Sequence, residues 1–535
     1  MFDAVEYSLT AHHTGPASDR VRGHRSWLAG ATVPTAPAAQ RDPARISLTL
    51  RPRASELPKA RAALEPPRFA PPEAVLPIHI PDDLMVSVSG IRGRVGRPFT
   101  PELAAGLAAS FGAFMTRGLR GPVVVGRDSR TSGPMFARAV LAGLQSVGVD
   151  VIDIGVVPTP TILLAVRHHG AAGGIGVTAS HNPAEWNALK LVSEEGIFLD
   201  DERSRAFRAY LTEQDPPRAT WDAIGEVRQD SAAWSRHLAK ILALPQIEVE
   251  KIRARRLKVA VDCVHGAGGP VIAELLQKLG CEVAAIGMEP DGLFPRDPEP
   301  TAKNLADLCV LTEKSGAEVG LAIDPDADRL SLVDEHGQTL GEDLTLALAS
   351  AAVLKRTPGP VVTNLSTSQV VEDVARAHGA TVFRSPVGEV NVARRMQKER
   401  AVVGGEGNGG VILPALHYTR DAPLGVALIL QHLTDEGVTI SAAARKWPTY
   451  QIVKEKVSFP RQALPAGYVA LEADMRAEAK DESDGLRLAW PTRKAWLHVR
   501  PSGTEPVVRL IAESADAKEA RELVTRAARV LAGIA

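Results

Sequence analysis

A single hydroxyl at the tip of a turn is the first candidate for chemistry in this chain. In Gly176-Val177-Thr178-Ala179-Ser180-His181-Asn182-Pro183, an apolar, Gly-rich strand from Gly173 to Val177 runs into a polar turn that carries Ser180 at its tip. Pro183 steers Asn182 away from helical dihedrals, so the serine is expected on a bent, extended loop and not inside a helix. Lys190 lies ten positions beyond it. Such a loop presents a nucleophile or an acceptor hydroxyl. A Ser/His/Asn turn that only satisfies its own backbone is the competing reading, and the loop alone does not separate the two.

A second constellation is acidic. Ile323-Asp324-Pro325-Asp326-Ala327-Asp328-Arg329 closes the apolar stretch Val319 to Ile323, and its three carboxylates fall at alternate positions, on one side of an extended segment. Alternate Cα atoms of a strand stand ~6.6 Å apart, so the loop must curl for all three to meet one ion. Adjacent negative charges repel unless a cation offsets them, and a divalent, oxygen-loving one is the natural partner. A solvated acidic turn paired with Arg329 is the plainer alternative. An EF-hand loop is the sharper one, since Asp324, Asp326, Asp328 and Glu335 stand at positions 1, 3, 5 and 12. Position 6 is Arg329 where that loop needs Gly, and Leu330 to Val333 continues as an apolar strand, so the EF-hand is set aside.

Two further loops stand out. Gly404-Gly405-Glu406-Gly407-Asn408-Gly409-Gly410 lets backbone approach a ligand closely and leaves Glu406 and Asn408 as its polar side chains. A carboxylate and an amide suit neutral hydroxyls better than phosphates. Arg500-Pro501-Ser502-Gly503-Thr504-Glu505-Pro506, with Arg509 on the next strand, gathers two guanidiniums, two hydroxyls and the amides around Gly503 into a cradle for a dianion. A plain loop and a turn with surface ion pairs are the respective alternatives.

The elements that must position these loops alternate. From Leu84 onward a strand at Met85 to Ser89, a turn at Gly90 to Gly93, a helix from Thr100 to about Gly118, a strand at Val123 to Val125 and a helix at Pro134 to Val147 succeed one another. That order favours a mostly parallel, doubly wound sheet. The same sentence recurs at Lys258 to Ile286 and at Val361 to Phe383, which reads as three diverged α/β units. After about Trp447 antiparallel strands are expected at Val453 to Val457, Leu486 to Ala489, Ala495 to Val499 and Val507 to Ile511, with helices at Ala470 to Ala479 and Ala517 to Leu531. The division so predicted is an extension at 1–83, α/β domains at 84–243, 244–343 and 344–446, and a smaller α+β domain at 447–535. The extension is Pro/Ala-rich with no sustained period and is expected to be disordered.

Composition narrows the class. A chain of 535 residues predicts three to four domains at ~150 residues each. A net charge of -1 and 4% aromatics argue against nucleic acid as a partner. No apolar run approaches the ~18 residues of a membrane span. Cys263, Cys281 and Cys309 form no C-x-x-C pair, as expected of reduced thiols in a cytoplasmic protein.

Together the four loops make the chain resemble the α-D-phosphohexomutases. Thr178 to Pro183, Asp324 to Arg329, Gly405 to Gly410 and Arg500 to Pro506 match that family's serine, metal, sugar and phosphate loops, in order and one per domain, from Met85 to the C-terminus. The resemblance implies a heart-shaped fold, with three mixed α/β domains and a C-terminal domain around a central cleft. It implies that Ser180 carries a phosphoryl group, acquired from a hexose 1,6-bisphosphate, and that one Mg²⁺ is held by the phosphoserine with Asp324, Asp326 and Asp328. Arg92, His181, Lys190 and Arg329 would surround it, with Lys190 a candidate general acid/base through a depressed pKa. Glu406 and Asn408 would read sugar hydroxyls, and Arg500, Ser502, Gly503, Thr504 and Arg509 would hold the phosphate that is not reacting. The implied activity interconverts hexose 6- and 1-phosphates, as a monomer or dimer.

Two departures from the family pattern bear on the substrate. Gly410 stands where several members have a histidine, so no proton-transfer role is carried over there. The turn Val387-Gly388-Glu389 has an acidic residue where many phosphomannomutases have histidine, which resembles the phosphoglucosamine mutase branch and would place Glu389 opposite a C2 ammonium. A phosphomannomutase/phosphoglucomutase of broad specificity is the alternative. A non-catalytic sugar-phosphate sensor would be expected to have lost Ser180 or an acidic ligand. An activated-serine hydrolase lacks its G-x-S-x-G elbow, and on an extended chain Ser180 and His181 would diverge.

Overall fold

The computed structural model describes residues 78–534 except 88, 89, 118, 120 and 503–506. The extension expected over 1–83 therefore lies outside the described residues as far as 77. Its last stretch is packed: Ile78 and Ile80 lie against the first core, with Ile78 Cδ1 3.0 Å from the position a Cβ on Gly106 would take.

Four sheets carry the chain. The first runs in the order Met85–Ser87, Gly90–Arg94, Trp186–Ser193, Gly173–Val177, Val123–Arg127, Val151–Val156, Val227–Gln229. Its pairings are parallel on one side of Gly173–Val177 and antiparallel on the other, so the sheet is mixed and not mostly parallel. The segment expected as a turn at Gly90 to Gly93 is a strand. A Cβ on Gly90 would meet Leu189 O at 2.6 Å, and this close approach lets the segment run alongside Trp186–Ser193.

The second sheet orders Leu330–Val333, Val319–Ile323, Lys258–Asp262, Glu282–Ile286, and the third Gly410–Ile412, Val403–Glu406, Val361–Asn364, Val382–Ser385. The repeat read from the sequence is thus a topological one. In each unit a central parallel strand is flanked by another parallel strand and by an antiparallel hairpin. The serine, acidic and Gly-rich loops are the tips of those three hairpins. A turn that reverses the chain projects beyond the strand ends, where ligands of α/β sheets are held.

The fourth sheet is antiparallel, in the order Gln451–Val457, Val508–Ser514, Ala495–Pro501, Leu486–Trp490, Ala479–Asp481. Its first helix is Leu464–Met475, earlier than the Ala470 to Ala479 expected, because Arg476 turns left-handed (φ 48°) and ends it. Helices Glu342–Leu354 and Ala422–Glu436 are buried along nearly their whole length, as their apolar runs require. They sit in one apolar core shared by the second and third sheets, whereas the first and fourth have cores of their own. Each fully buried Leu or Val there is worth roughly 1.5–3 kcal/mol, so the acidic and Gly-rich loops are held to a common base. No helix among the described residues is long and apolar enough to cross a membrane.

Candidate active site

Ser180 is held by an arginine that sequence reasoning passed over. Arg130 is fully buried, and its Nη2 donates to Ser180 O and Asn182 O, both at 2.6 Å. Its Nη1 donates to Pro183 O at 2.7 Å and Trp186 O at 3.0 Å, and its Nε to Asp128 Oδ2 at 3.1 Å. The same carboxylate oxygen takes Thr178 Oγ1 at 2.6 Å, and Thr178 Oγ1 accepts from Ser180 N at 3.0 Å. A planar five-donor group suits a turn whose carbonyls converge. The clamp holds Ser180 at φ 52°, a left-handed conformation that costs a non-glycine residue about 1–3 kcal/mol.

That conformation corrects the expected divergence of Ser180 and His181. The chain is curled here and not extended, and His181 Nδ1 lies 3.3 Å from Ser180 Oγ. Arg92, on Gly90–Arg94, donates to Asn182 Oδ1 at 3.1 Å and so borders the same loop.

The acidic loop curls by the same device, with Ala327 at φ 53°. Oxygens of Asp324, Asp326 and Asp328 come within 4.8 Å of one another, all three residues fully buried. Asp324 Oδ1 accepts the backbone N–H groups of Asp328 and Arg329 at 3.0 and 3.1 Å, and Asp324 Oδ2 takes Ser180 Oγ at 3.2 Å. Thr159 binds Asp326 from the first domain through its N–H (2.8 Å, to Asp326 O) and its hydroxyl (2.6 Å, to Oδ2). Asp326 Oδ1 and Asp328 Oδ1 remain buried with no hydrogen-bond partner. Buried carboxylate oxygens are rarely left so. An all-oxygen donor set with two unmet acceptors beside a serine hydroxyl fits a hard divalent cation such as Mg²⁺.

The electrostatics are uneven across the three. Burial, then the charges of Asp328 and Asp326, push Asp324 well above the usual carboxylate range. Burial alone would raise Asp326 and Asp328 too, but Lys190 brings the first below that range and Arg420 the second. Lys190 reaches the loop because Gly173–Val177 and Trp186–Ser193 form a hairpin in which Gly176 faces Lys190. Its Nζ sits 2.6 Å from Asp326 Oδ2 and 3.5 Å from Asp328 Oδ2. The depressed pKa expected of this lysine is not found. Burial lowers it, but the two carboxylates more than offset that and it ends above its ordinary value. Arg329 lines the same edge, its Nε 3.6 Å from Asp328 Oδ1 and its Nη1 3.8 Å from Glu299 Oε1.

Glu406 ends strand Val403–Glu406. Its Oε1 accepts from Asn364 Nδ2 at 2.8 Å and Gly388 N at 3.1 Å, while its Oε2 accepts from Arg420 Nη1 at 2.9 Å and Asn408 Nδ2 at 3.5 Å. Glu389, the first residue of helix Glu389–Glu399, takes the hydroxyl of Thr419 and the N–H of Arg420 (2.8 Å). Arg420 is a second residue the sequence analysis missed. Its local wording, Thr-Arg-Asp ahead of an apolar helix, carries no motif, and only the fold brings it to Asp328, Glu389 and Glu406.

In the fourth domain Arg500 and Arg509 are direct partners on adjacent antiparallel strands. Like charges placed opposite one another destabilise a ladder unless an anion offsets them. Arg500 Nε lies 3.0 Å from Asp484 Oδ2, which also accepts Val387 N at 3.0 Å, so this loop is tied to the turn before Glu389. Ser502 is buried, with its N–H on Val507 O at 2.8 Å. Gly503 and Thr504 lie outside the described residues.

Comparison with known proteins adds to this geometry. The phosphoglucomutase/phosphomannomutase family matches in all four parts: alpha/beta/alpha domain I at residues 84–218, domain II at 233–337, domain III at 341–450 and the C-terminal domain at 452–530. A phosphoglucomutase/phosphomannomutase of Thermococcus kodakarensis is 38% identical over 448 residues, covering 83% of this chain and 97% of that protein. A probable phosphoglucosamine mutase of Methanopyrus kandleri is 38% identical over 440 residues, covering 81% and 95%. A phosphoglucomutase/phosphomannomutase family protein of Burkholderia thailandensis, known by crystal structure, superposes with a TM-score of 0.74 at 26% identity, covering 84% of this chain and 97% of that one.

Proposed function

Because this chain belongs to the phosphoglucomutase/phosphomannomutase family and is a phosphohexomutase, we propose that it works through a phosphoserine at Ser180 and a hexose 1,6-bisphosphate. The observation that carries this reading is Ser180 Oγ set 3.2 Å from Asp324 Oδ2, against a buried triad with two unmet oxygens. The phosphoryl group on Ser180 Oγ passes to a sugar hydroxyl: the serine O–P bond breaks, the sugar O–P bond forms, and the hydroxyl proton ends on the released Ser180 oxygen. The bisphosphate then turns over and returns its other phosphoryl group to Ser180. His181 Nδ1, 3.3 Å from Oγ, is placed to exchange the serine's proton.

Asp324, Asp326 and Asp328 would hold Mg²⁺, which supplies positive charge to a transition state that needs positioning and charge stabilisation more than covalent help. Lys190, Arg92 and Arg329 add fixed positive charge around the same loop. Glu406 and Asn408 would read hydroxyls, and the opposed Arg500 and Arg509, with Ser502, Gly503 and Thr504, would hold the idle phosphate.

For the sugar, glucosamine phosphate is the first reading. Glu389 and Glu406 (formal charge −2) share one guanidinium, Arg420 (+1), while Asp328 is also met by Lys190 and Arg329, which leaves −1 near a C2 ammonium. Broad hexose phosphate specificity is the second, favoured by Arg420 Nε lying 3.2 Å from Glu389 Oε2 and so competing for the carboxylate an ammonium needs. Coupled assays on glucosamine, glucose and mannose 6-phosphates decide between them. Glu389→Gln is expected to lower the glucosamine-to-glucose turnover ratio, and an unchanged ratio rejects the first reading. For the mechanism, intact mass is expected to find ~80 Da on the Ser180 peptide. Ser180→Ala is expected to lose at least about 10³-fold in turnover, as removal of a nucleophile does. A Ser180→Ala enzyme that still interconverts hexose phosphates rejects it.

A further inference from the structure

Arg420 touches both the acidic loop and the Gly-rich loop. Its Nη2 donates to Asp328 Oδ2 at 2.6 Å, its Nη1 to Glu406 Oε2 at 2.9 Å, and its Nε lies 3.2 Å from Glu389 Oε2. All four side chains are nearly or fully buried. A guanidinium is a rigid planar fork, so it cannot follow one of these carboxylates without altering its hold on the others.

The Gly-rich loop is shaped around this side chain. A Cβ on Gly410 would come within 2.2 Å of Arg420 Cδ and 2.7 Å of Cγ. Residue 410 therefore lacks a side chain where the arginine stem crosses it. The backbone beneath the arginine is anchored on both sides. Arg420 N donates to Glu389 Oε1 at 2.8 Å, and Asp421, which caps helix Ala422–Glu436, is gripped by His237 and His417 at 2.7 Å each. The backbone is pinned, and the head group is what can shift.

We propose that Arg420 is a positioning residue that couples the cation site to sugar recognition, an inference that rests on the metal reading above. A divalent cation on Asp328 competes with the guanidinium for that carboxylate and repels it, which drives Arg420 toward Glu406 and Glu389. A sugar whose hydroxyls bond Glu406 competes with the arginine at the other end. Through Arg420 the two ligands thus oppose one another, and linkage makes the effect equal in both directions.

The test is calorimetric titration of the full chain with Mn²⁺, with and without saturating glucose 1-phosphate, which yields a ratio of two dissociation constants. Relative to wild type, Arg420→Met is expected to shift that ratio at least threefold toward cooperation and to tighten Mn²⁺ binding on its own. Arg420→Lys keeps the charge but not the fork and shifts it the same way, by less. Gly410→Ala, on a strand and with Arg420 intact, displaces the stem and moves the ratio too, which guards against a misfolded Arg420→Met. If Mn²⁺ binds and the ratio is unchanged in all three variants, the coupling is overturned and the metal site stands. A wild-type chain that takes up no Mn²⁺ overturns the metal site and the coupling with it.

Discussion

Among the described residues two clusters bring three ligating groups within 4.8 Å of one another, and they are chemically opposite: Asp324, Asp326 and Asp328, and His237, His417 and Asp421. In the second, every polar atom is met. Thr419 N–H donates into His417 Nδ1 at 3.1 Å, which leaves the ring proton on Nε2, facing Asp421 Oδ2 at 2.7 Å. His237 Nε2 reaches the same oxygen at 2.7 Å, its Nδ1 pairs with Thr161 Oγ1 at 2.9 Å, and Leu424 N donates to Asp421 Oδ1 at 3.0 Å. The acidic cluster leaves two buried oxygens with no donor. Proximity of ligating atoms alone does not separate the two clusters; their unmet acceptors do. The imidazole cluster is a lock between helices Thr159–His169 and Ala233–Leu242 and the segment that carries Arg420.

The sharpest way to break this contrast is Asp421→Asn. It sets an amide among N–H donors and is expected to cost about 3 kcal/mol or more in denaturant unfolding, as loss of one partner of a buried pair does. A cost under 1 kcal/mol would make the lock no more than a filler. Next in size is the response to Mg²⁺. At a hundredfold excess over its dissociation constant, Mg²⁺ is expected to stabilise the wild-type chain by about 2.7 kcal/mol. It should stabilise the Asp421→Asn chain by the same increment and the Asp326→Asn chain not at all. An increment lost with Asp421 would place the cation in the wrong cluster.

The pH dependences are opposite in sign. Burial lowers His417 below the usual histidine value despite Asp421, so its stability is present above ~6.5 and is lost as pH falls through that value. Asp324 is raised, so its contribution is present below the unfolded carboxylate pKa of ~3.9 and is lost as pH rises. His417→Gln is therefore expected to flatten the decline as pH falls below ~6.5, by up to ~1.4 kcal/mol per pH unit. The smallest effect is Asp324→Asn without metal. It removes one of three mutually repelling charges and is expected to raise stability by about 1 kcal/mol while reducing the Mg²⁺ increment. A fall in stability would mean that the triad is not strained by its own charge.

Much of the fold was legible. The strands Val361–Asn364 and Glu282–Ile286 fall where their apolar runs put them, and the C-terminal strands are displaced by only a few residues. The hairpins were not. Nothing local states that Val177 and Leu189 will pair, and without that hairpin Lys190 has no reason to stand beside the acidic loop. Among the residues that gather at the candidate site, Ser180, the three aspartates and Glu406 could be named because loop composition exposes them. Arg130 and Arg420 could not, because each is defined by acceptors far away in the chain. Arg130 binds carbonyls 50–56 residues on, and Arg420 binds Asp328 across 92. The left-handed Ser180 was hidden as well. Its neighbours argue for an extended loop, and only the Arg130 clamp supplies the energy to curl it.

By itself the sequence determined the four loops, their order and the chemistry of their side chains, since these depend on residue type and on spacings of a few positions. The tertiary structure alone decided which charges are answered and which are not. A carboxylate in Asp324–Asp328 and one at Asp421 read alike in a sequence. They differ because two imidazoles, one of them 184 residues from Asp421, bond the latter, while Asp326 Oδ1 and Asp328 Oδ1 are walled from water without a hydrogen bond. Desolvation makes that difference costly, and burial is a property of the folded chain.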